Sequence, residues 1–116
     1  MKVNKSIKQI GLLDSKLANL NYCFIESNHD PLHMERKLQQ RAISIPAVEI
    51  CLAYGKKKRA IKAWNYTITD RSLKNTLYEK HITSLRGLTI IGNWEDNNFC
   101  IITTYWDFHI KNKNRY

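Results

Sequence analysis

Residues 88–106, LTIIGNWEDNNFCIITTYW, constrain this chain more than any other stretch. Two runs rich in β-branched and aromatic residues flank EDNN, four polar residues of the kind that make turns. That pattern predicts an antiparallel hairpin. Strict alternation along the second run places Phe99, Ile101, Thr103 and Tyr105 on one face, and Cys100, Ile102, Thr104 and Trp106 on the other.

The rest of the chain reads mainly as helix. Ile7, Ile10, Leu13, Leu17 and Leu20 recur every three or four residues, predicting an amphipathic helix over about 4–20. YCFIE, residues 22–26, reads as a short strand or apolar anchor. Asp30 and Pro31 suit the N-cap and first position of a second helix, expected over 31–42. Ser44, Pro46 and Gly55 then bound a third helix, with Gly55 expected in the left-handed conformation that ends it. KKKRAIKAWNYTITD contains one strand, with Lys62, Trp64, Tyr66 and Ile68 on a common face. A last helix, packed through Leu73 and Leu77, fills 70–82. The expected fold is α+β: a small antiparallel sheet of three to four strands packed against helices.

At 116 residues the chain is read as a single domain, 1–116. No apolar run reaches the roughly 18 residues of a membrane span. The N-terminus lacks a small-residue cleavage site, so no signal peptide is expected and the location expected is cytoplasmic. Cys23, Cys51 and Cys100 are widely spaced and flanked by apolar residues, which predicts buried, inert thiols. No metal site is expected: His29 and His33 are four apart, but Pro31 lies between them. No cofactor is expected either.

Charge is the main functional signal. The net charge is +9, and residues 31–60 carry seven Lys or Arg against Glu35 and Glu49 alone. Such a field favours a polyanion, with RNA the expected partner, or it is simply charge for solubility. His33, Lys37 and Arg41 recur every four residues and share one flank of the second helix. A histidine can move a proton near neutrality, and fixed cations can hold a phosphate. The same trio also suits an ordinary solvated face. Thr103 can donate to a phosphate oxygen, and Tyr105 can stack on a base. Lys62, Trp64 and Tyr66 mix cation and aromatic on one strand, which suits single-stranded nucleic acid; Trp64 in the core is the plainer reading.

HMERKLQQRAISIPAVEICLAYGKKKRA, followed by an aromatic strand and IITTYW, resembles the domain family of unknown function numbered 4258. The likeness spans 31–106 and leaves 1–30 as an N-terminal helical extension. His33, Lys37, Arg41, Ile43, Val48, Leu52, Tyr54 and Gly55 fall in register, as do Ile102, Thr103 and Tyr105. Such domains are similar to the barnase, EndoU, colicin and RelE group of small ribonuclease folds. The resemblance implies a toxin-like RNA-binding protein or metal-independent endoribonuclease. It implies His33, Arg41 and Thr103 as catalytic candidates; the flank and strand readings above add Lys37, Lys62, Tyr66 and Tyr105 as expected substrate contacts. Lys37 stands where the family has Arg, a point charge in place of a fork. The alternative is a non-catalytic interaction module of antitoxin or adaptor type. Its first helix would then dock an immunity or antitoxin protein, or a second copy of the chain. A third reading gives duplex DNA to the basic tail, HIKNKNRY.

Overall fold

The EDNN segment and its flanking runs form the central hairpin of the sheet. Strand β4 (Leu88–Glu95) turns into β5 (Asn98–Trp106) through Asp96, whose φ is 56°. Asp tolerates that left-handed conformation better than most side chains. The structure, a computed structural model, describes residues 2–25 and 33–112, without the side chains of 2–4 and 33.

Three more strands join the hairpin: β1 (Tyr22–Phe24), β2 (Lys56–Ala60) and β3 (Ala63–Thr67). The order is β1-β5-β4-β3-β2. Strands β2 to β5 are antiparallel in succession, whereas β1 lies parallel to β5 at the edge. The expected sheet of three to four antiparallel strands is therefore corrected to five strands of mixed direction. Strand β2 escaped the sequence reading because KKKRA has no apolar alternation; Lys56, Lys57, Lys58 and Arg59 are all exposed. Backbone pairing to β3 holds it, and its charges guard an open edge.

Among the described residues there are seven α-helices: α1 (Lys2–Leu12), α2 (Ser15–Ala18), α3 (His33–Gln40), α4 (Ile45–Tyr54), α5 (Asp70–Leu73), α6 (Ile82–Leu85) and α7 (Phe108–Lys111). None is long and apolar enough to cross a membrane. The single helix expected over 4–20 is broken at Asp14, whose backbone is extended while its carboxylate accepts from Lys16 N at 3.0 Å. The helix expected over 70–82 is likewise split into α5, a 3-10 turn and α6. There Tyr78 is fully buried and Leu77 is exposed. The proposed cap at Asp30 and Pro31 lies outside the described residues.

Ser44 caps α4 through Ala47 N at 3.3 Å, with Pro46 in the first turn, as the sequence predicts. Gly55 is not left-handed: its φ and ψ are −62° and 155°. Glycine is needed there for space, since a Cβ would stand 2.5 Å from the Cys51 carbonyl oxygen.

The core lies between the helices and one face of the sheet. Ile7, Leu17, Met34, Leu38, Val48 and Ile50 meet Tyr66, Ile68, Leu88, Ile90, Phe99 and Ile101. Burial of each such side chain contributes about 1.5–3 kcal/mol. The N-terminal segment, read as an extension, supplies Ile7 and Leu17 to this same core. A buried carboxylate ties it down: Asp14 Oδ2 accepts from the Tyr54 and Tyr78 hydroxyls, each at 2.9 Å.

The hairpin carries one irregularity with a large consequence. Ile91 pairs with Thr103, but Gly92 pairs with Ile101, so Ile102 is an extra residue with no partner on β4. A bulge of this kind reverses the alternation on either side of it. Phe99 and Ile101 point into the core, and so does Thr104; Thr103 and Tyr105 turn to the opposite face, with Cys100. The expected face shared by Phe99, Ile101, Thr103 and Tyr105 is thereby corrected.

Candidate nucleic-acid interface

All of the buried apolar cluster lies on the helix side of the sheet. The residues that register assigns to the other side contribute nothing to that cluster. Pairing lays them out in rows. Lys58, Asn65, Ile91 and Thr103 are successive partners across β2, β3, β4 and β5, and so are Lys56, Thr67, Thr89 and Tyr105. With strands about 4.8 Å apart, each row runs about 14 Å. The face is polar for a sheet interior. Thr67 and Thr89 join hydroxyls at 3.2 Å. Among the described residues, Asn65 Oδ1 is buried with no hydrogen-bond partner.

Cations bound this face at both ends. Lys56 and Lys58 stand exposed on the β2 edge. At the β5 edge, β1 pairs only with Phe99 to Ile101, so among the described residues the remainder of β5 has no strand beside it. The turn after α3 fills that gap. Arg41 Nη1 donates to the Thr104 carbonyl and reaches Thr103 Oγ1 at 3.4 Å. The Trp106 indole N–H donates back to the Arg41 carbonyl at 2.6 Å. Ala42, at φ 54°, turns the chain so that both contacts form. Arg41 thus caps a strand edge that has no strand partner among the described residues. Both of its bonds use Nη1, leaving the other N–H groups of the fork for a ligand.

Arg41 and Thr103 are therefore brought together, with Tyr105 two residues further along the same face. Lys37, half-buried, is one helical turn before Arg41. His33 opens α3, but its side chain lies outside the described structure. Lys62 and Tyr66 are not part of this arrangement. Lys62 occupies the β2–β3 turn at φ 61°. Tyr66 sits in the core, 7% exposed, with its ring edge-on to Phe99 at 5.1 Å. Burial raises its phenol above the ordinary pKa. Trp64 lies on the helix side too, with Lys57 Nζ 4.5 Å and the Arg59 guanidinium 5.0 Å from its ring centre.

The residues that sequence reasoning missed here are Lys56, Lys58, Asn65, Thr67 and Thr89. Lys56 and Lys58 lie on a strand with no hydrophobic pattern, whereas Asn65, Thr67 and Thr89 lie on strands whose apolar pattern draws attention to the opposite face. Chemically, the face offers spaced cations for phosphates, the half-buried Thr67 and Thr103 hydroxyls for polar contacts and one half-buried phenol for stacking; Thr89 is buried. Among the described residues, no three His, Cys, Asp or Glu side chains converge as metal ligands would.

No protein family, characterised protein or solved structure matches this chain. The ribonuclease-like resemblance of residues 31–106 stays an expectation, and the interface stands on its own geometry.

Proposed function

We propose that this protein binds single-stranded RNA across the open face of its sheet, as a toxin-like RNA-binding protein. The observation that carries the reading is the polar face itself: Lys56 and Lys58 at one end, Arg41 beside Thr103 and Tyr105 at the other. A phosphate backbone crossing the strands meets a cation at each end, and its bases meet Asn65, Thr67 and Tyr105 between them. Endoribonuclease activity is the catalytic form of the same reading. It requires the His33 imidazole to serve the phosphate held by Arg41.

The reading with an interaction module is less favoured, because part of the face it would use is spent in the core, although Leu13 is 88% exposed. Ile7 is fully buried and Leu17 is 8% exposed.

Binding of a fluorescent single-stranded RNA tests the proposal. The double variant Lys56→Glu, Lys58→Glu is expected to weaken affinity at least about tenfold and flatten its dependence on salt. Lys5→Glu, Lys8→Glu makes the same charge change on α1, on the helix side. It is expected to cost about threefold or less, through net charge alone. Equal losses from both pairs would mean diffuse attraction and no interface. For the catalytic form, wild type is expected to cut RNA without added metal, and His33→Ala to lose that cutting. Negligible cutting by both would leave binding alone.

A further inference from the structure

We propose that Cys23 and Cys100 are a thiol-modification site: they close into a reversible disulfide by exchange with a small disulfide such as oxidised glutathione. The sequence made both thiols look inert, since each has apolar neighbours along the chain. Strand pairing changes that. Cys23 and Cys100 are directly opposed on the parallel pair β1 and β5, and their sulfurs are 3.4 Å apart. Neighbouring strands are about 4.8 Å apart, inside the Cα span that a disulfide bridges. Bond formation therefore needs a small side-chain rotation and no backbone movement.

The two thiols have different surroundings, which assigns their roles. Cys23 is exposed, and the Asn98 amide donates to its sulfur at 3.2 Å. Cys100 is 5% exposed and donates to Glu95 Oε2 at 3.5 Å. Its hydrogen bond with Cys23, then burial and Glu95, push it up to about 11. Cys23 is thus the thiol that meets an oxidant, and Cys100 the one that resolves.

The Cys23 thiolate attacks one sulfur of oxidised glutathione and expels glutathione thiolate, leaving a mixed disulfide. Cys100 attacks Cys23 Sγ and expels the second glutathione thiolate, which takes up the Cys100 proton through solvent, as the first thiolate takes up that of Cys23. Two protein thiols are oxidised, and one glutathione disulfide is reduced to two thiols. The product staples β1, a strand of only three residues, to the sheet. Cys51 takes no part: it is fully buried in α4, with its sulfur on the Tyr66 and Leu88 carbonyls.

The full chain is treated with oxidised glutathione under native conditions, then denatured for thiol titration and mapped without reduction. The titre is expected to fall from three thiols to one, with a Cys23–Cys100 linked peptide about 2 Da lighter than the reduced pair. Dithiothreitol restores all three. The Cys100→Ser variant is expected to stop at a glutathione adduct on Cys23. A stable adduct on wild type, a link between two chains, or a link to Cys51 would overturn the proposal.

Discussion

Replacing Asp14 with alanine is expected to lower the free energy of unfolding by about 4 kcal/mol. The carboxylate is 6% exposed and has three donors: Lys16 N, Tyr54 Oη and Tyr78 Oη. Loss of the cap on α2 costs about 1 kcal/mol. Each phenol bond to a charged acceptor is worth about 1.5–3 kcal/mol, and the two share one oxygen, so they do not add fully. Tyr78, with no exposed surface, is then left with a buried hydroxyl and no acceptor. For 116 residues, total stability is about 6–17 kcal/mol, so the variant sits near the edge of folding. Urea unfolding followed by tryptophan fluorescence measures the loss. A cost under about 1 kcal/mol would mean that the carboxylate is not the tie between the N-terminal segment, α4 and the 3-10 turn.

The same cluster gives a pH signature. Burial, then the bond to Asp14 and its charge, raise Tyr54 from 10.0 to about 12 and raise Tyr78 further. Groups whose folded pKa is raised stabilise fully below their unfolded pKa. Stability should therefore hold up to pH 10 and fall as pH rises through about 12. In Asp14→Ala that alkaline slope should be shallower.

What the sequence could show follows from how each element is held. The hairpin of β4 and β5 was legible because turn residues and β-branched runs agree. Ser44 and Pro46 agree in the same way at the start of α4. β2 was not, because nothing in KKKRA is buried except by pairing. Leu13 continues the apolar period of α1 beyond its last residue, Leu12, yet it is 88% exposed. The period there was coincidence, and the phenols that hold Asp14 lie 40 and 64 residues away. Cys23 and Cys100, 77 residues apart, looked unrelated from their neighbours along the chain, and strand register sets their sulfurs 3.4 Å apart. Arg41 and Thr103 were singled out by the helix flank, the strand hydroxyl and a family likeness; their contact is a product of the turn at Ala42. The faces of β5 were misread because a single extra residue reverses alternation and leaves no mark on composition.

That extra residue depends on Gly92, which underlies the last expectation. Gly92→Ala should cost about 3 kcal/mol, the upper end for forcing a methyl group into a packed site. Its Cβ would fall 2.3 Å from the Cys100 carbonyl oxygen and 2.8 Å from the Phe99 ring. One obstacle is strand backbone and the other a ring 2% exposed, so neither moves cheaply. The chain has two ways to relieve the clash. It can strain in place, or it can slip β5 by one residue and lose the bulge. Slippage carries Thr103 and Tyr105 toward the helices and brings Thr104 out. Urea unfolding reports the strain, and RNA affinity under native conditions reports the slip. A full loss of stability with unchanged affinity would show that the bulge holds the hairpin but does not choose the face presented to RNA. A loss below about 0.5 kcal/mol would show that the hairpin absorbs a methyl group, and that the position of Ile102 is set elsewhere. The expected result is a fall in both, because the glycine that admits the bulge also decides which side of β5 carries its hydroxyl and its phenol.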